Sequence, residues 1–300
     1  MTRVAVTSRS FSRHPILRAE LLAKYPETIF NDAGLSLKGP ALIDFLRGHD
    51  AAITALETLD DALFTTLPEI KVIAKYGVGL DMIDLPAMAR HGVRLGWTAG
   101  VNRRSVAELV IAFAISLLRH VPESASELRS GRWRQIAGRQ LSDCVVGIIG
   151  CGHVGKDVAR LLNAFGCRLL THDIRDFPEF YGRHAIESVS LDDLLLRADV
   201  VTLHLPLDQA TRGILDAKKL GLMRQGAVLI NAARGGLVDE AAVRKMLESG
   251  HLAGAAFDVF ATEPPQALEL LSLPNFLATP HIGGSAAEAI LAMGRAAIDG

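Results

Sequence analysis

The sequence predicts an α/β protein of two domains, each built on a mostly parallel sheet. Three observations carry this. Short apolar runs alternate with helical stretches almost from end to end. A chain of 300 residues fits about two domains of 100 to 200 residues each. Apolar residues make up 49% of it, enough to fill such cores without disulfide staples.

The strands are predicted over residues 3–7, 51–54, 72–74, 145–149, 168–171, 200–203, 227–231, 254–257 and 276–278. Most lack polar–apolar alternation, as expected of parallel strands covered on both faces. One stretch breaks the rhythm. Residues 102–120 read as a long helix, with Ser105 and Glu108 in the S-x-x-E spacing of a capping box. Val106, Ala107, Leu109, Val110, Ile111, Phe113, Ala114, Ile115, Leu117 and Leu118 make it apolar on most faces, so it must be buried. It is predicted to bridge the domains and to serve as a dimer element.

The bulk properties exclude several classes. A net charge of −1 gives no long-range attraction to nucleic acid or an anionic membrane. The local cluster of Arg129, Arg132, Arg134 and Arg139 around Trp133 reads as a solvated or partner-facing surface. Cys144, Cys151 and Cys167 are too few and too irregularly spaced for a disulfide framework or a zinc site. They fit a reduced cytoplasmic compartment, and no metal is expected. The opening MTRVAVTSRS lacks the long apolar stretch of a signal peptide. The densest apolar run, residues 109–118, is about half the length a bilayer requires. Neither membrane nor nucleic acid is an expected partner.

The strand at 145–149 leads into Gly150-Cys151-Gly152-His153-Val154-Gly155 and a helical run over 156–165. A lone G-x-G-x-x-G is weak evidence, but here strand, glycines and helix come in the required order. Gly150 permits the tight turn. Gly152 lets backbone approach a pyrophosphate, and Gly155 lets helix and strand pack closely. The helix N-terminus offers N–H groups to the phosphates, those of His153 and Val154 among them. Asp173 lies 18 residues beyond Gly155, where an acidic side chain accepts hydrogen bonds from the adenosine ribose. Its charge repels a 2′-phosphate, so NAD is the expected cofactor. Arg175 softens that preference. Residues 100–283 are thus predicted to form a Rossmann-type NAD-binding domain. Residues 1–99, completed by 284–300, form the substrate domain, and the cleft between the two closes over the ligands.

Three later strands run into polar residues at their carboxyl ends, where ligands bind in open α/β sheets. These are Ala232-Ala233-Arg234-Gly235-Gly236, then Asp258-Val259-Phe260-Ala261-Thr262-Glu263, then Thr279-Pro280-His281-Ile282-Gly283-Gly284. With Gly77-Val78-Gly79-Leu80-Asp81, Ser105-Val106-Ala107-Glu108 and His204-Leu205-Pro206-Leu207, the sequence from about residue 67 to its end resembles the D-isomer-specific 2-hydroxyacid dehydrogenases. That is the family of 3-phosphoglycerate, glycerate and D-lactate dehydrogenases.

The resemblance implies a flavodoxin-like α/β substrate domain, a homodimer formed through residues 102–120 and the arm after them, and a set of roles. Arg234 would hold the substrate carboxylate and polarise the C2 carbonyl. His281 would be the general acid/base, and Glu263 the carboxylate that orients it. Asp258 would bond the nicotinamide carboxamide. The N–H groups of Gly77, Val78 and Gly79 would receive the substrate carboxylate beside the nicotinamide. Val78, His204, Pro206, Ala232, Ala233, Arg234, His281, Gly283 and Gly284 would also line the cofactor, and Lys75, a cation just before the glycine loop, would join the substrate-binding residues. Thr54 stands where 3-phosphoglycerate dehydrogenases tend to carry an arginine, which weakens that substrate assignment. The loop Ser8-Arg9-Ser10-Phe11-Ser12 either faces the cleft or is a solvated turn. No C-terminal regulatory domain is expected, and the final helix is expected either to be short or to continue beyond residue 300.

The chemistry is coherent on its own terms. Reducing a 2-keto acid needs a hydride on C2 and a proton on the carbonyl oxygen. Histidine exchanges protons near neutrality, a carboxylate fixes its tautomer, and arginine grips a carboxylate through two parallel N–H bonds. An NADH-sensing corepressor of the same fold is the alternative. A formate or phosphite dehydrogenase is disfavoured, because the formate enzymes pair the histidine with glutamine where this chain has Glu263.

Overall fold

The computed structural model describes residues 1–266 and 268–300. They divide into two compact units, Met1–Asn102 with Gly284–Gly300, and Arg103–Gly283.

In the first unit, β1 (Val4–Val6), β2 (Thr28–Phe30), β3 (Ala51–Thr54), β4 (Val72–Lys75) and β5 (Arg94–Gly96) form one parallel sheet in the order β2-β1-β3-β4-β5. This 2-1-3-4-5 order is the flavodoxin-like one. Side chains alternate across the sheet. Val4, Val6, Ile53 and Ala74 pack on one face with Leu17, Leu21, Met293 and Ile298, from the Pro15–Lys24 and Ala287–Asp299 helices. Ala5, Ala52 and Ile73 face Leu42, Leu46, Leu63 and Phe64 on the other. Val6 pairs with Ile53, and Thr54 with Lys75. The carboxyl ends of these three strands are therefore level, and the segments leaving them share one edge.

In the second unit, β6 (Val145–Ile149), β7 (Arg168–His172), β8 (Ile186–Ser188), β9 (Val200–Leu203), β10 (Ala227–Asn231), β11 (Leu252–Phe257) and β12 (Phe276–Ala278) run parallel in the order β12-β11-β10-β9-β6-β7-β8. Counted from β6, this is the 3-2-1-4-5-6 order of dinucleotide-binding Rossmann domains with one further strand. The Arg103–Leu118 and His153–Ala164 helices supply the core on one face. The Leu191–Arg197, Ala217–Leu220 and Glu240–Glu248 helices supply it on the other. Gly147 inside β6 lets Leu194 pack close: a Cβ there would lie 2.4 Å from Leu194 Cδ2, so that side chain would have to shift.

Several local expectations need correction. The long helix spans Arg103–Leu118, so Ser105 lies inside its first turn and is not its N-cap. Its hydroxyl donates instead to the Gly283 carbonyl at 2.6 Å. The chain breaks at His120, which adopts φ 52°, and a second helix follows over Val121–Arg129. Ser8–Ser12 is no turn. Ser8 caps a helix over Arg9–Arg13 that buries Phe11 and Ser12. The glycine-motif helix begins at His153, three residues before the predicted start. The edge strands β2, β5 and β8 were not predicted from the sequence.

No single helix among the described residues is long and apolar enough to cross a membrane. Arg103–Leu118 and Val121–Arg129 would pass only together, with a 60° bend between them, and the first buries eight side chains in the core.

Candidate active site

The glycine loop follows β6, where the strand order turns back on itself. Gly150 has φ 96°, and a Cβ on it would lie 2.7 Å from the His204 carbonyl oxygen after β9. A Cβ on Gly155 would sit 2.0 Å from the Gly150 carbonyl oxygen. Both glycines are demanded by packing within the protein. Gly152 is different. It caps the His153–Ala164 helix with φ −76°, and a Cβ there would meet nothing within 4 Å. No atom of this chain forbids a side chain at Gly152, and the open space leaves the backbone accessible to a ligand. His153 and Val154 open the helix beside it.

Asp173 closes this loop from β7. Its carboxylate accepts the Cys151 N–H at 2.6 Å and the Arg175 N–H at 2.8 Å. It is only half-buried, and a carboxylate has lone pairs left for ribose hydroxyls. The residues present thus fit a dinucleotide. The imidazole of His204 turns inward. Nε2 lies 3.0 Å from the Thr202 hydroxyl and Nδ1 is buried without a partner. Burial pushes its pKa down to about 3, so the ring is neutral. Pro206, exposed at the surface, offers its carbonyl to the Thr211 hydroxyl at 2.7 Å.

Three strand ends of this unit carry the polar residues. Past β10, the Asn231 side chain accepts the Ala233 N–H at 3.2 Å and donates to the Arg234 carbonyl at 2.9 Å. This folds the segment Ala232–Arg234 back, and the Arg234 guanidinium donates to the Ala233 carbonyl at 2.7 Å. Gly235 passes so close to the next loop that a Cβ would sit 1.9 Å from the Phe260 carbonyl oxygen.

Past β11, Asp258 is 1% exposed. Its carboxylate accepts from the Thr279 hydroxyl at 2.5 Å and from the Ile282 and Gly283 N–H groups, both at 2.7 Å. Its carbonyl accepts the His281 N–H at 2.9 Å. Past β12, His281 adopts φ 55° and brings Nδ1 to 2.9 Å from Glu263 Oε2. Glu263 is steadied by the Phe260 N–H, which donates to Oε1 at 3.1 Å. Both side chains of the pair remain nearly half exposed, at 47% and 41%. They are therefore open to a small molecule and to solvent protons.

The clamp formed by Asp258 was not foreseen from sequence, which assigned that carboxylate to the cofactor alone. The signal available was a polar residue at the end of an apolar strand. Its partners depend on how a loop more than 20 positions later folds back.

In the first unit, the level strand ends gather Thr7, Thr54, Ala55 and the segment after Lys75. Gly77 has φ 137°, and Val78 offers its carbonyl to the Trp97 indole N–H at 3.0 Å. Gly79 follows, half-buried. Lys75 is 3% exposed. Its ammonium donates to the Ala55 carbonyl and lies 3.2 Å from Met82 Sδ. It points into the unit rather than to its surface. Tyr76 packs edge-on against Phe11 with ring centroids 5.3 Å apart. Burial raises its phenol pKa, opposed in part by a hydrogen bond with Ser10. Gly284 opens the returning segment, close to the Asn102 amide.

Cys144, Cys151 and Cys167 are buried and free. Burial raises all three thiol pKa values, that of Cys167 to about 11. Among the described residues, no three His, Cys, Asp or Glu side chains gather into a metal site.

Residues 111–283 match the family model for the D-isomer specific 2-hydroxyacid dehydrogenase, NAD binding domain. The chain is 37% identical to D-3-phosphoglycerate dehydrogenase of Mycobacterium tuberculosis over 239 residues, 79% of this chain and 45% of the relative. It therefore spans less than half the length of that protein. It is also 37% identical to hydroxypyruvate reductase of Thermotoga maritima over 229 residues, 73% of this chain and 72% of the relative. Among solved structures, a glyoxylate reductase from Paecilomyes thermophila superposes with a TM-score of 0.88 at 27% identity, covering 99% of this chain and 94% of that one. A Rossmann sheet with an open central glycine and a histidine–carboxylate pair at its strand ends agrees with these likenesses: the chain belongs to the D-isomer specific 2-hydroxyacid dehydrogenases.

Proposed function

We propose that the protein is an NAD-dependent oxidoreductase that moves a hydride between the nicotinamide and C2 of a small D-2-hydroxy acid or 2-keto acid. The observation that carries the proposal is the His281–Glu263 pair, 2.9 Å apart at the carboxyl ends of a dinucleotide-binding sheet. The bound cofactor supplies and accepts the hydride. The chain's own residues handle the proton and the acid. Glu263 accepts from Nδ1 of His281, which leaves Nε2 to give a proton to the carbonyl oxygen of a keto acid or take it from a hydroxy acid. Arg234 holds the substrate carboxylate and polarises the carbonyl. The amides of Gly77, Val78 and Gly79 receive the same carboxylate. Lys75, held by Ala55, stiffens that loop.

Asp173, Gly150, Gly152, His153, Val154 and Gly155 hold the dinucleotide. Pro206, Ala232, Ala233, Gly283, Gly284 and the backbone around His204 complete its surroundings. Asp258 keeps lone pairs for the nicotinamide carboxamide while clamping the His281 loop. The Arg103–Gly283 unit is the cofactor domain, and Met1–Asn102 with Gly284–Gly300 the substrate domain.

The protein acts in the cytoplasm, where its three thiols stay reduced, without nucleic-acid or membrane partners. It pairs as a homodimer through the Arg103–Leu118 helix and the arm after it. The exposure of Val121 (49%), Leu128 (57%) and Trp133 (83%) supports a partner on that arm.

The test is NADH oxidation with glyoxylate, hydroxypyruvate, a phosphorylated 2-keto acid and a longer one, with NADPH run in parallel. At least one acid should be reduced, and NADH should be preferred. Asp173→Ala should narrow that preference by roughly tenfold, one discriminating contact. Tight NADH binding with no turnover of any acid would favour an NADH-sensing binding protein instead.

A further inference from the structure

Val78 sits between two glycines, and its carbonyl is held by the indole N–H of Trp97 at 3.0 Å. Trp97 lies one residue past the end of β5, within the same unit. A peptide unit is planar, and in the trans form its C=O and N–H point in opposite directions. Whatever holds the Val78 carbonyl therefore also decides where the Gly79 N–H points. Glycine neighbours remove the steric barriers that usually keep a peptide plane from turning over, and Gly77 already occupies φ 137°. The loop needs an outside restraint to keep one orientation.

An indole nitrogen is a donor only and cannot accept a hydrogen bond. It attracts the plane with the Val78 carbonyl towards it and opposes the reversed plane, which would face it with the Gly79 N–H. A serine or asparagine would tolerate both. On the entry side the loop is fixed already, by the buried Lys75 and by Tyr76 packed on Phe11. The indole supplies the restraint on the exit side.

We infer that Trp97 is a positioning residue for substrate binding: it locks the Val78–Gly79 peptide so that the Gly79 N–H stays turned away from the indole and available to a carboxylate. The inference rests on the proposed role of the Gly77–Gly79 amides. Trp97 acts through the loop and contributes no chemistry itself. Its effect belongs to the affinity for the acid, and neither proton transfer nor dinucleotide binding depends on it. Trp97 is 36% exposed, so water competes for the carbonyl and the effect is that of one ordinary hydrogen bond.

Two variants separate the N–H from the ring. Trp97→Phe keeps an aromatic ring and loses the donor; Trp97→Leu loses both. Steady-state kinetics use NADH and the best 2-keto acid of the panel, with oxamate as a non-reacting carboxylate inhibitor. Both variants should raise the KM for the keto acid and the inhibition constant for oxamate together, by about threefold to tenfold. The kcat and the Kd for NADH should stay within about twofold of the parent. A Trp97→Phe enzyme with unchanged KM and oxamate inhibition overturns the inference, as does a loss confined to kcat. If the parent protein reduces no 2-keto acid, the underlying functional proposal fails instead, and that is seen before any variant is compared.

Discussion

His281 holds a backbone conformation, φ 55°, that a residue with a Cβ adopts at a cost of order 1 kcal/mol or more. The cost is met by one buried side chain. Asp258 takes the Thr279 hydroxyl and the N–H groups of Ile282 and Gly283, while its carbonyl takes the N–H of His281 itself. The imidazole is thus presented by a loop with little freedom, and Glu263 needs only to orient the ring. His281→Asn should suppress keto-acid reduction and hydroxy-acid oxidation alike while leaving the Kd for NADH within about twofold, as measured by quenching of protein fluorescence. Loss of NADH binding instead would show that His281 serves mainly to hold the cofactor and not to act on the substrate.

Arg234→Lys should lower kcat/KM by at least about a hundredfold, because an ammonium cannot reproduce the two parallel N–H bonds of a guanidinium. A loss below tenfold would show that another group grips the acid. Arg234, Glu263 and His281 could be singled out as candidates from the sequence because each follows an apolar strand within a few residues, and the carboxyl ends of strands in parallel sheets are where ligands bind. The clamp by Asp258 was not, since three of its partners lie on another loop. Nor was the inward course of the Lys75 ammonium, because a lysine after a strand reads the same whether its amine meets solvent or the Ala55 carbonyl.

At the scale of elements, the glycine loop separates two kinds of necessity. Gly152→Ala adds a methyl group where the protein has open space, so thermal stability should change little. The Kd for NADH should rise by about tenfold or more, because backbone can no longer approach a pyrophosphate. Gly155→Ala puts its methyl group 2.0 Å from the Gly150 carbonyl oxygen. It should destabilise the second unit by about 1–3 kcal/mol or more before any ligand is added, seen as a lower unfolding midpoint. Equal stability losses in the two variants would end this distinction.

The same loop shows how far patterning carries. Central strands such as Val145–Ile149 and Ala227–Asn231 carry no charged residue, with Asn231 alone ending the apolar run of the second, and were readable to the residue. The unpredicted strands are three residues long and lie at sheet edges, with burial on one side at most. Thr28–Phe30, Arg94–Gly96 and Ile186–Ser188 carry too little apolar density to stand out. The helix break at His120 was equally hidden. It depends on a left-handed residue rather than on proline or glycine at the turn itself.

For the whole molecule, alternation of strands and helices announced two parallel α/β units, but strand order cannot be read from periodicity. It emerges from pairings such as Val146 with Val200 and Val4 with Ala51, which join segments 54 and 47 residues apart in sequence.

All three cysteines lie in the second unit, two of them flanking the start of its central strands, and each is sealed from solvent with its thiol kept protonated by burial. A thiol-specific dye can react only when that unit opens, because the thiolate is the attacking species. The rate of dye incorporation into the unmodified protein is therefore a clock for spontaneous opening of the dinucleotide-binding unit alone, blind to the other. Where reclosing outpaces reaction, NADH at 100 times its Kd should slow that clock about a hundredfold. Metabolic supply of the dinucleotide would then set not only how fast the protein turns over but how long each copy escapes oxidation and proteolysis.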